Sequence, residues 1–309
     1  MSIPIVLIHR SDSDYLLYSL MQAKIRNPDS RIYLLGDFSN NHYQFSEHYQ
    51  IDDYFKGAND FAKSYQHFST NPFQFELFCF QRWFVLRDFM RNNAISQCFH
   101  MDSDVMLFAE ITSEYRNFSQ FDFTLSRSQS SDSLSPHCSF INSLEALDSF
   151  CDFLMRLYRE PQLTQLMEQQ FLKRCRSGLP GGACDMTAFR EYVASSSVRV
   201  GYTSDIINDS VYDHRIRSSD GFVMNPLGLK QIQWIDNQPF GKTSEGDLIK
   251  FNALHFQGNS KKFMKQFLRL ENHHFNYSIF RRQFSISKNY FVSTSKKVLK
   301  RLRMSPAQH

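Results

Sequence analysis

Two carboxylates one residue apart, Asp102 and Asp104, lie in the stretch Cys98-Phe99-His100-Met101-Asp102-Ser103-Asp104-Val105-Met106-Leu107. Apolar residues run up to the first acid and resume after the second. A short apolar run that ends in acids reads as a buried strand whose tip emerges at a sheet edge. In an open α/β sheet that carboxyl edge is where ligands bind. Acids so spaced can both reach one hard cation. A divalent ion held by one or two carboxylates and by phosphate oxygens is a usual way to hold a nucleoside diphosphate. The same spacing also serves an Asp-rich turn, in which the side chains bond their own backbone. A second stretch, His255-Phe256-Gln257-Gly258-Asn259-Ser260-Lys261, bears on the choice. A His just past an apolar strand can ligate a metal. Gly258 permits close backbone approach, and Lys261 can neutralise a phosphate as a point charge. Taken alone, His255 also reads as a hydrogen-bonded core or surface histidine.

The elements that must position these residues follow from the apolar pattern. Ile3 to Ile8 is a continuous apolar run, read as a buried first strand. His9-Arg10-Ser11-Asp12 follows as a loop with capping residues for a helix over Tyr15 to Ile25. Asn27-Pro28-Asp29 ends that helix, and Arg31 to Leu35 is a second strand stopped by Gly36. Strand, helix, strand favours a right-handed crossover and a parallel sheet. Tyr49 to Tyr54 reads as a short third strand. Pro72 to Asn93 carries the longest helical pattern, with Arg82 on it and Trp83 in its apolar stripe. The fourth strand ends at Asp102. Phe121 to Leu125 and Cys138 to Ile141 read as strands flanking the polar stretch Ser126 to Pro136, a loop and a candidate mobile lid. Helices are expected over Leu144 to Tyr158, Leu163 to Lys173 and Asp185 to Val193, and a hairpin over Gly221 to Trp234. Trp234 is read as core, or as a stacking surface for a sugar. Phe251 to Leu254 leads into His255.

Composition bounds the class. The 309 residues suit one large or two small domains at roughly 150 residues each. Hydrophobic residues make up 42% and charged residues 21%, which supports a globular core, and 31 Phe residues suit an aromatic one. No apolar run reaches the roughly 18 residues that a membrane-spanning helix requires. The N-terminus has neither a basic leader nor a small-residue cleavage site, so it is not read as a signal peptide. Six scattered Cys without C-x-x-C spacing read as buried free thiols in a reducing, cytoplasmic compartment. The net charge of +4 is uneven. Eight basic residues follow the last acid, Glu271, which leaves the first 271 residues at −4. From about Asn289 the pattern is helical, with Phe291, Val298 and Leu302 on one face and Lys296, Lys297, Lys300, Arg301 and Arg303 on the other. Such a helix can lie on an anionic membrane surface, or pack its apolar face on the body.

Asp-x-Asp in mid-chain followed by His-x-x-Gly-x-x-Lys near the end resembles the nucleotide-sugar-dependent glycosyltransferases of the GT-A fold, and most of all glycosyltransferase family 8. The resemblance implies an α/β fold with a Rossmann-like, mostly parallel central sheet flanked by helices. It implies that Asp102, Asp104 and His255 hold Mn²⁺ (or Mg²⁺) against the donor diphosphate, and that Gly258 and Lys261 meet the phosphates. Arg82, on the helix before the Asp-x-Asp strand, is the candidate donor contact; Ser103 would lie near the ribose, and His9 and Arg10 would border the base. The resemblance in layout covers roughly residues 1–265, with only the two motifs specific. The expected domains are 1–270, catalytic, with 1–107 the nucleotide-sugar-binding half and 108–270 the acceptor-binding half, and 271–309, a basic amphipathic C-terminal appendix. Two stretches depart from the family. Cys138-Ser139-Phe140-Ile141-Asn142 lacks the family's Gly, and Pro180-Gly181-Gly182-Ala183-Cys184-Asp185 replaces its Asp-Gln-Asp segment. Gly-Gly before an acid at a helix start is similar to inverting GT-A enzymes, so both stereochemical classes stay open. In an inverting enzyme Asp185 would be the catalytic base for the acceptor hydroxyl; in a retaining one it would bind sugar hydroxyls; as an N-cap it would only satisfy backbone N–H groups.

The expected activity is transfer of a sugar from a nucleoside diphosphate sugar, UDP-sugar favoured, to a hydroxyl of a glycan or lipid-linked acceptor. The tail would hold the enzyme on the inner face of the membrane. Two other readings exist. A sugar-nucleotide nucleotidyltransferase on a related fold would carry a Gly-rich loop after the first strand, and His9-Arg10-Ser11-Asp12 is not one. An RNA- or membrane-binding protein acting through the tail would need no enzyme, but the acidic body argues against nucleic acid as a partner.

Overall fold

The computed structural model describes residues 2–128 and 134–269. The expected tail helix and the whole basic segment 271–309 lie outside the described residues, as does the middle of the expected lid. The chain opens with strand β1 (Ile5–Ile8), helix α1 (Asp14–Arg26) and strand β2 (Ile32–Gly36). β1 and β2 are parallel, with Val6 opposite Tyr33. Every residue of both strands is buried. They read as unbroken apolar runs because both faces of the sheet are covered. Strand β3 (Glu47–Gln50) adds to the outer side of β2, also parallel. The third strand expected over Tyr49–Tyr54 therefore ends early. Ile51–Tyr54 is a single 3₁₀ turn that buries Ile51 and leaves Asp52 and Asp53 in solvent. Acids of this kind favour the turn over the strand.

Helix α2 (Lys56–Ala62) precedes the long α3 (Phe73–Asn92). Strand β4 (Cys98–Met101) then pairs parallel with the free side of β1. After a tight turn comes β5 (Val105–Leu107), the short helix α4 (Ile111–Glu114), β6 (Phe123–Arg127), β7 (Leu134–Ser135) and β8 (Cys138–Ile141). β8 runs antiparallel to β4 and β6 antiparallel to β8. The central sheet has the order β3-β2-β1-β4-β8-β6-β7. The ends of the expected loop Ser126–Pro136 are a hairpin, since Ser126 faces Ser135 and Arg127 faces Leu134. Helices α5 (Leu144–Leu157), α6 (Pro161–Arg176) and α7 (Asp185–Ser195) follow, and β9 (Val200–Tyr202) joins β6 in parallel. One face of the sheet is covered by α2, α3, α5 and α7 through a core rich in aromatic rings, among them Phe80, Trp83, Phe84, Phe89, Phe150 and Phe189. The Phe150 and Phe189 rings stack at 3.9 Å. The architecture is α/β, with a central sheet, parallel in its first half, flanked by helices.

A second, smaller sheet was not foreseen. Its strands are β10 (Ser210–Tyr212), β11 (Ile232–Ile235), β12 (Gln238–Lys242) and β13 (Leu248–His255), in the order β10-β13-β12-β11. β5 joins it by pairing antiparallel with β13. The hairpin expected over Gly221–Trp234 forms one step later, between β11 and β12. Its turn residues Asp236 and Asn237 both have positive φ, 48° and 59°. A two-residue hairpin turn requires that backbone, and Asp and Asn tolerate it. The last described elements are a 3₁₀ turn at Gly258–Phe263 and α8 (Met264–Phe267). No described helix is long and apolar enough to cross a membrane. All six cysteines are free, with Cys98, Cys138 and Cys151 buried, Cys79 and Cys184 half-buried and Cys175 exposed.

The small sheet is fastened to its flanking loop by a buried ion pair. Lys230, 1% exposed, donates to Asp213 Oδ1 at 2.6 Å and to the Arg215 carbonyl at 2.8 Å. Asp213 Oδ2 in turn accepts from the His255 backbone N–H at 3.2 Å. Removing one partner of such a pair leaves an uncompensated charge in the interior. Lys230→Met is expected to cost about 3–5 kcal/mol of stability, measured by urea unfolding. Adding Asp213→Asn should recover part of that loss, because the stranded charge goes with it. A single variant within about 0.5 kcal/mol of wild type would show that the pair holds nothing together.

Candidate active site

The site is built where β4 and β13 end side by side. Asp102-Ser103-Asp104 is the turn between β4 and β5, closed by the Val105 N–H donating to the Asp102 carbonyl at 3.1 Å. Both acids therefore stand on one tight turn that the backbone closes. Two further backbone bonds fix it. The Asp102 N–H donates to the His137 carbonyl, and the Phe256 N–H donates to the Asp104 carbonyl, each at 2.9 Å. Because β5 and β13 pair with Val105 opposite His255, the imidazole stands beside the acids. His255 Nε2 lies 3.4 Å from Asp104 Oδ1. One ligand atom from each of Asp102, Asp104 and His255 can be chosen so that all lie within 4.8 Å of one another.

The histidine is held in the tautomer a metal ligand needs. Its Nδ1 is 2.8 Å from the His214 carbonyl. A carbonyl only accepts, so Nδ1 carries a proton, and in the neutral ring Nε2 is the nitrogen whose lone pair faces the acids. His137 stacks on the His255 ring at 4.0 Å, with 14° between planes, and is itself fixed by Ser135 and by the Asp213 carbonyl. Burial, and then the neighbouring His255, push the His137 imidazole well below its ordinary range. Burial also works against a charge on His255, but Asp104 outweighs it and raises the imidazole above its usual value. Two carboxylates and one fixed imidazole nitrogen are a donor set that fits a divalent cation whose other ligands are oxygens.

Fixed cations accompany both acids. Arg82, from α3, forks between two carboxylates, with Nη1 at 2.6 Å from Asp102 Oδ1 and Nη2 at 2.6 Å from Asp185 Oδ2. Burial opposes the charge on Asp102, and the Arg82 guanidinium, together with the His100 and His255 imidazoles, outweighs it and holds the carboxyl well below the usual carboxylate range. Burial likewise opposes the charge on Asp104, and His255 and Lys261 draw its carboxyl down. Lys261 Nζ lies 3.2 Å from Asp104 Oδ2 and 4.7 Å from the centre of the Tyr15 ring. Gly258 has φ of 63°, and a Cβ there would meet nothing within 4 Å. Its glycine answers to a left-handed backbone, not to crowding.

Asp185 opens α7 as its first helical residue, while Cys184 is the N-cap and forms a capping box with Thr187. The N-cap alternative for Asp185 thus belongs to its neighbour. The Asp185 side chain points instead at α3, where Oδ2 accepts from Arg82 and from the Trp83 indole N–H at 3.1 Å. Trp83 is fully buried, as expected, and its N–H is a second function that its helical spacing did not reveal.

At the β1 edge, His9 Nδ1 is 2.9 Å from Ser103 Oγ. Burial, then Lys261, lower the His9 imidazole to about 4, so the ring is neutral across the physiological range. Arg10 is exposed and its guanidinium covers the Phe55 ring at 4.4 Å and the Phe78 ring at 4.9 Å. Trp234 is away from the acids, packed between Phe108, Phe267 and the Arg269 guanidinium, which lies 3.5 Å over its ring. The structure thus brings Asp102, Asp104, His255, Lys261, Arg82, Asp185, Ser103 and His9 into one connected group. His137, His214, Asp213 and Lys230 support it from behind, and no short motif marked them.

No protein-family model matches the chain, and no curated protein does. Among solved structures, an active-site mutant of LgtC is similar at a TM-score of 0.39 and 10% identity, over 65% of this chain and 73% of that one. The apo form of the glycosyltransferase GlyE from Streptococcus pneumoniae TIGR4 is similar at a TM-score of 0.41 and 12% identity, over 93% of this chain and 64% of that one. A second GlyE structure is matched over 45% of its length, at 0.33 and 11%. The chain therefore spans less than two thirds of GlyE.

Proposed function

We propose that this chain is a nucleotide-sugar-dependent glycosyltransferase of the GT-A fold and the family 8 type, transferring a sugar from a nucleoside diphosphate sugar, UDP-sugar favoured, to a hydroxyl of a glycan or glycolipid. The observation that carries the reading is the convergence of Asp102, Asp104 and a tautomer-fixed His255, with the Lys261 ammonium beside Asp104. These three residues would hold Mn²⁺ or Mg²⁺, which when bound supplies Lewis-acid neutralisation of the leaving diphosphate. Lys261 would take a phosphate oxygen, and Arg82 would stand between the donor sugar and the diphosphate. Ser103 and His9 would border the ribose, and Arg10, spread over Phe55 and Phe78, the base. Asp185 Oδ2 is occupied by Arg82 and Trp83. This favours a role in orienting Arg82 or binding sugar hydroxyls. A base in an inverting mechanism would first require Arg82 to move. The cellular setting that goes with this reading is a cytoplasmic enzyme held at the membrane inner face through segment 271–309.

Three outcomes test the reading. UDP binding followed by calorimetry should depend on Mn²⁺, and the Asp102→Asn, Asp104→Asn double variant should weaken it by at least tenfold, about 1.4 kcal/mol. A double variant that binds UDP with Mn²⁺ as tightly as wild type sinks the proposal. The second outcome is a pH dependence. The His255 value is raised, so a proton competes for Nε2 at higher pH than on a free imidazole. Metal-dependent UDP affinity should therefore rise from pH 6 to pH 8, by up to about tenfold per pH unit below the His255 value. A flat profile would remove His255 from the ligand set. The third concerns the tail. Each basic residue near an anionic surface contributes roughly 1 kcal/mol, so the full chain should co-sediment with anionic but not neutral vesicles, and truncation after Ser287 should abolish this.

A further inference from the structure

Each of the two ligating carboxylates already has a cation of its own. Arg82 Nη1 is 2.6 Å from Asp102, and Lys261 Nζ is 3.2 Å from Asp104. Neither cation is a freely solvated surface charge, for the side chains are 15% and 34% exposed. Arg82 is further anchored by Asp185, and the Lys261 ammonium rests against the Tyr15 ring. In such a setting charges are weakly screened. A dication arriving alone would find both aspartates engaged and two positive groups within reach. A diphosphate arriving alone would meet two carboxylates. Only when both arrive does every charge find an opposite partner. Asp102 and Asp104 would then hold the metal, and Lys261 would be left for a phosphate oxygen.

We infer that Arg82 and Lys261 act as built-in counter-cations, which keep free divalent metal out of the site and make metal and diphosphate bind together. This rests on the reading of Asp102, Asp104 and His255 as a metal site, and it adds a property which that reading does not require. A lysine that served only as a phosphate contact would have no effect on metal binding in the absence of nucleotide. A lysine that competes for Asp104 lowers it. The two views therefore predict different outcomes for one variant. Lys261→Met keeps an unbranched apolar side chain and deletes the charge that lies over Tyr15 at a partly exposed position, and a thermal unfolding transition like that of the wild type is the check that it folds.

The experiment uses the full chain. Mn²⁺ binding without nucleotide is read from the electron paramagnetic resonance signal of the free ion, and UDP binding is titrated by calorimetry with and without Mn²⁺. In the wild type, UDP should bind more tightly with Mn²⁺ by a factor in the upper part of the usual coupling range of roughly 5–150-fold. In Lys261→Met, nucleotide-free Mn²⁺ binding should tighten by about tenfold, while the coupling to UDP shrinks. Lys261→Arg, which keeps the charge, should leave nucleotide-free Mn²⁺ binding weak. If Lys261→Met binds free Mn²⁺ no more tightly than wild type, the inference is overturned. If wild-type UDP affinity is indifferent to Mn²⁺, it is overturned as well. The underlying metal site fails separately, when Asp102→Asn leaves Mn²⁺ binding in the presence of UDP unchanged.

Discussion

The site depends on one pairing of strands. β5 has only three residues, yet it belongs to the chain of the central sheet and is hydrogen-bonded into the small one. The Asp-x-Asp turn sits at its start and His255 at the end of its partner. Because side chains alternate along a strand, a slip of one residue in this register would turn His255 to the opposite face and dissolve the constellation. The register is fixed from both sides. Ser19 of α1 donates to the Val105 carbonyl at 2.8 Å, and the Phe256 N–H reaches the Asp104 carbonyl. Behind them, Met106 and Leu254 are buried in the core of the small sheet. Apolar burial thus sets the position of polar groups that could not set it themselves.

The second constraint is charge. Burying a carboxylate is costly unless it is paired, and this site buries or half-buries Asp102, Asp104, Asp185 and Asp213 within a few elements of one another. Each has a named cation: Arg82 for Asp102 and Asp185, Lys261 for Asp104, Lys230 for Asp213. The forked geometry explains why position 82 is an arginine. A planar guanidinium presents two N–H edges at a fixed separation, and a lysine ammonium would serve one carboxylate well and the other badly. The Lys261 site makes the opposite demand. One point charge on a flexible stem is suited to a partner that changes.

How much of this could be read beforehand follows from range. The strands β1, β2 and β4 and the helices α1, α3, α5 and α7 are marked by local apolar periodicity, and they stand within a few residues of where that periodicity puts them. The trio Asp102, Asp104 and His255 was legible because Asp102 and His255 each stand at the end of an apolar run and Asp104 follows Asp102 with one residue between. What the sequence does not carry is the pairing across long loops. β10 meets β13 with no local signal, and α2 is too short to show a period. The carbonyl that fixes the His255 tautomer belongs to His214, in an irregular segment where side-chain identity is irrelevant to the bond. Trp83 shows the same limit from the other side. Its spacing reported burial correctly and was silent about the one polar atom, which reaches Asp185.

Asp185 is the residue whose position most needs a backbone explanation, since it lies far in sequence from everything it touches. The segment before it is clamped to the stretch ahead of α3. Gly182 pairs with Ser69, the Ala183 N–H donates to the Phe68 carbonyl at 2.9 Å, and Gly181 exchanges bonds with Thr70. At Gly182 an added Cβ would stand 2.0 Å from the Phe68 carbonyl oxygen, so no other residue fits without moving backbone. The close approach brings the start of α7 down onto α3, and Cys184 takes the capping role. Asp185 is thereby free to turn its carboxylate toward Arg82 and Trp83. The Gly-Gly pair is the feature that lets one guanidinium span Asp102 of the turn after β4 and Asp185 at the start of α7. Any shift of α7 against α3 would be felt at Asp102 through that single side chain.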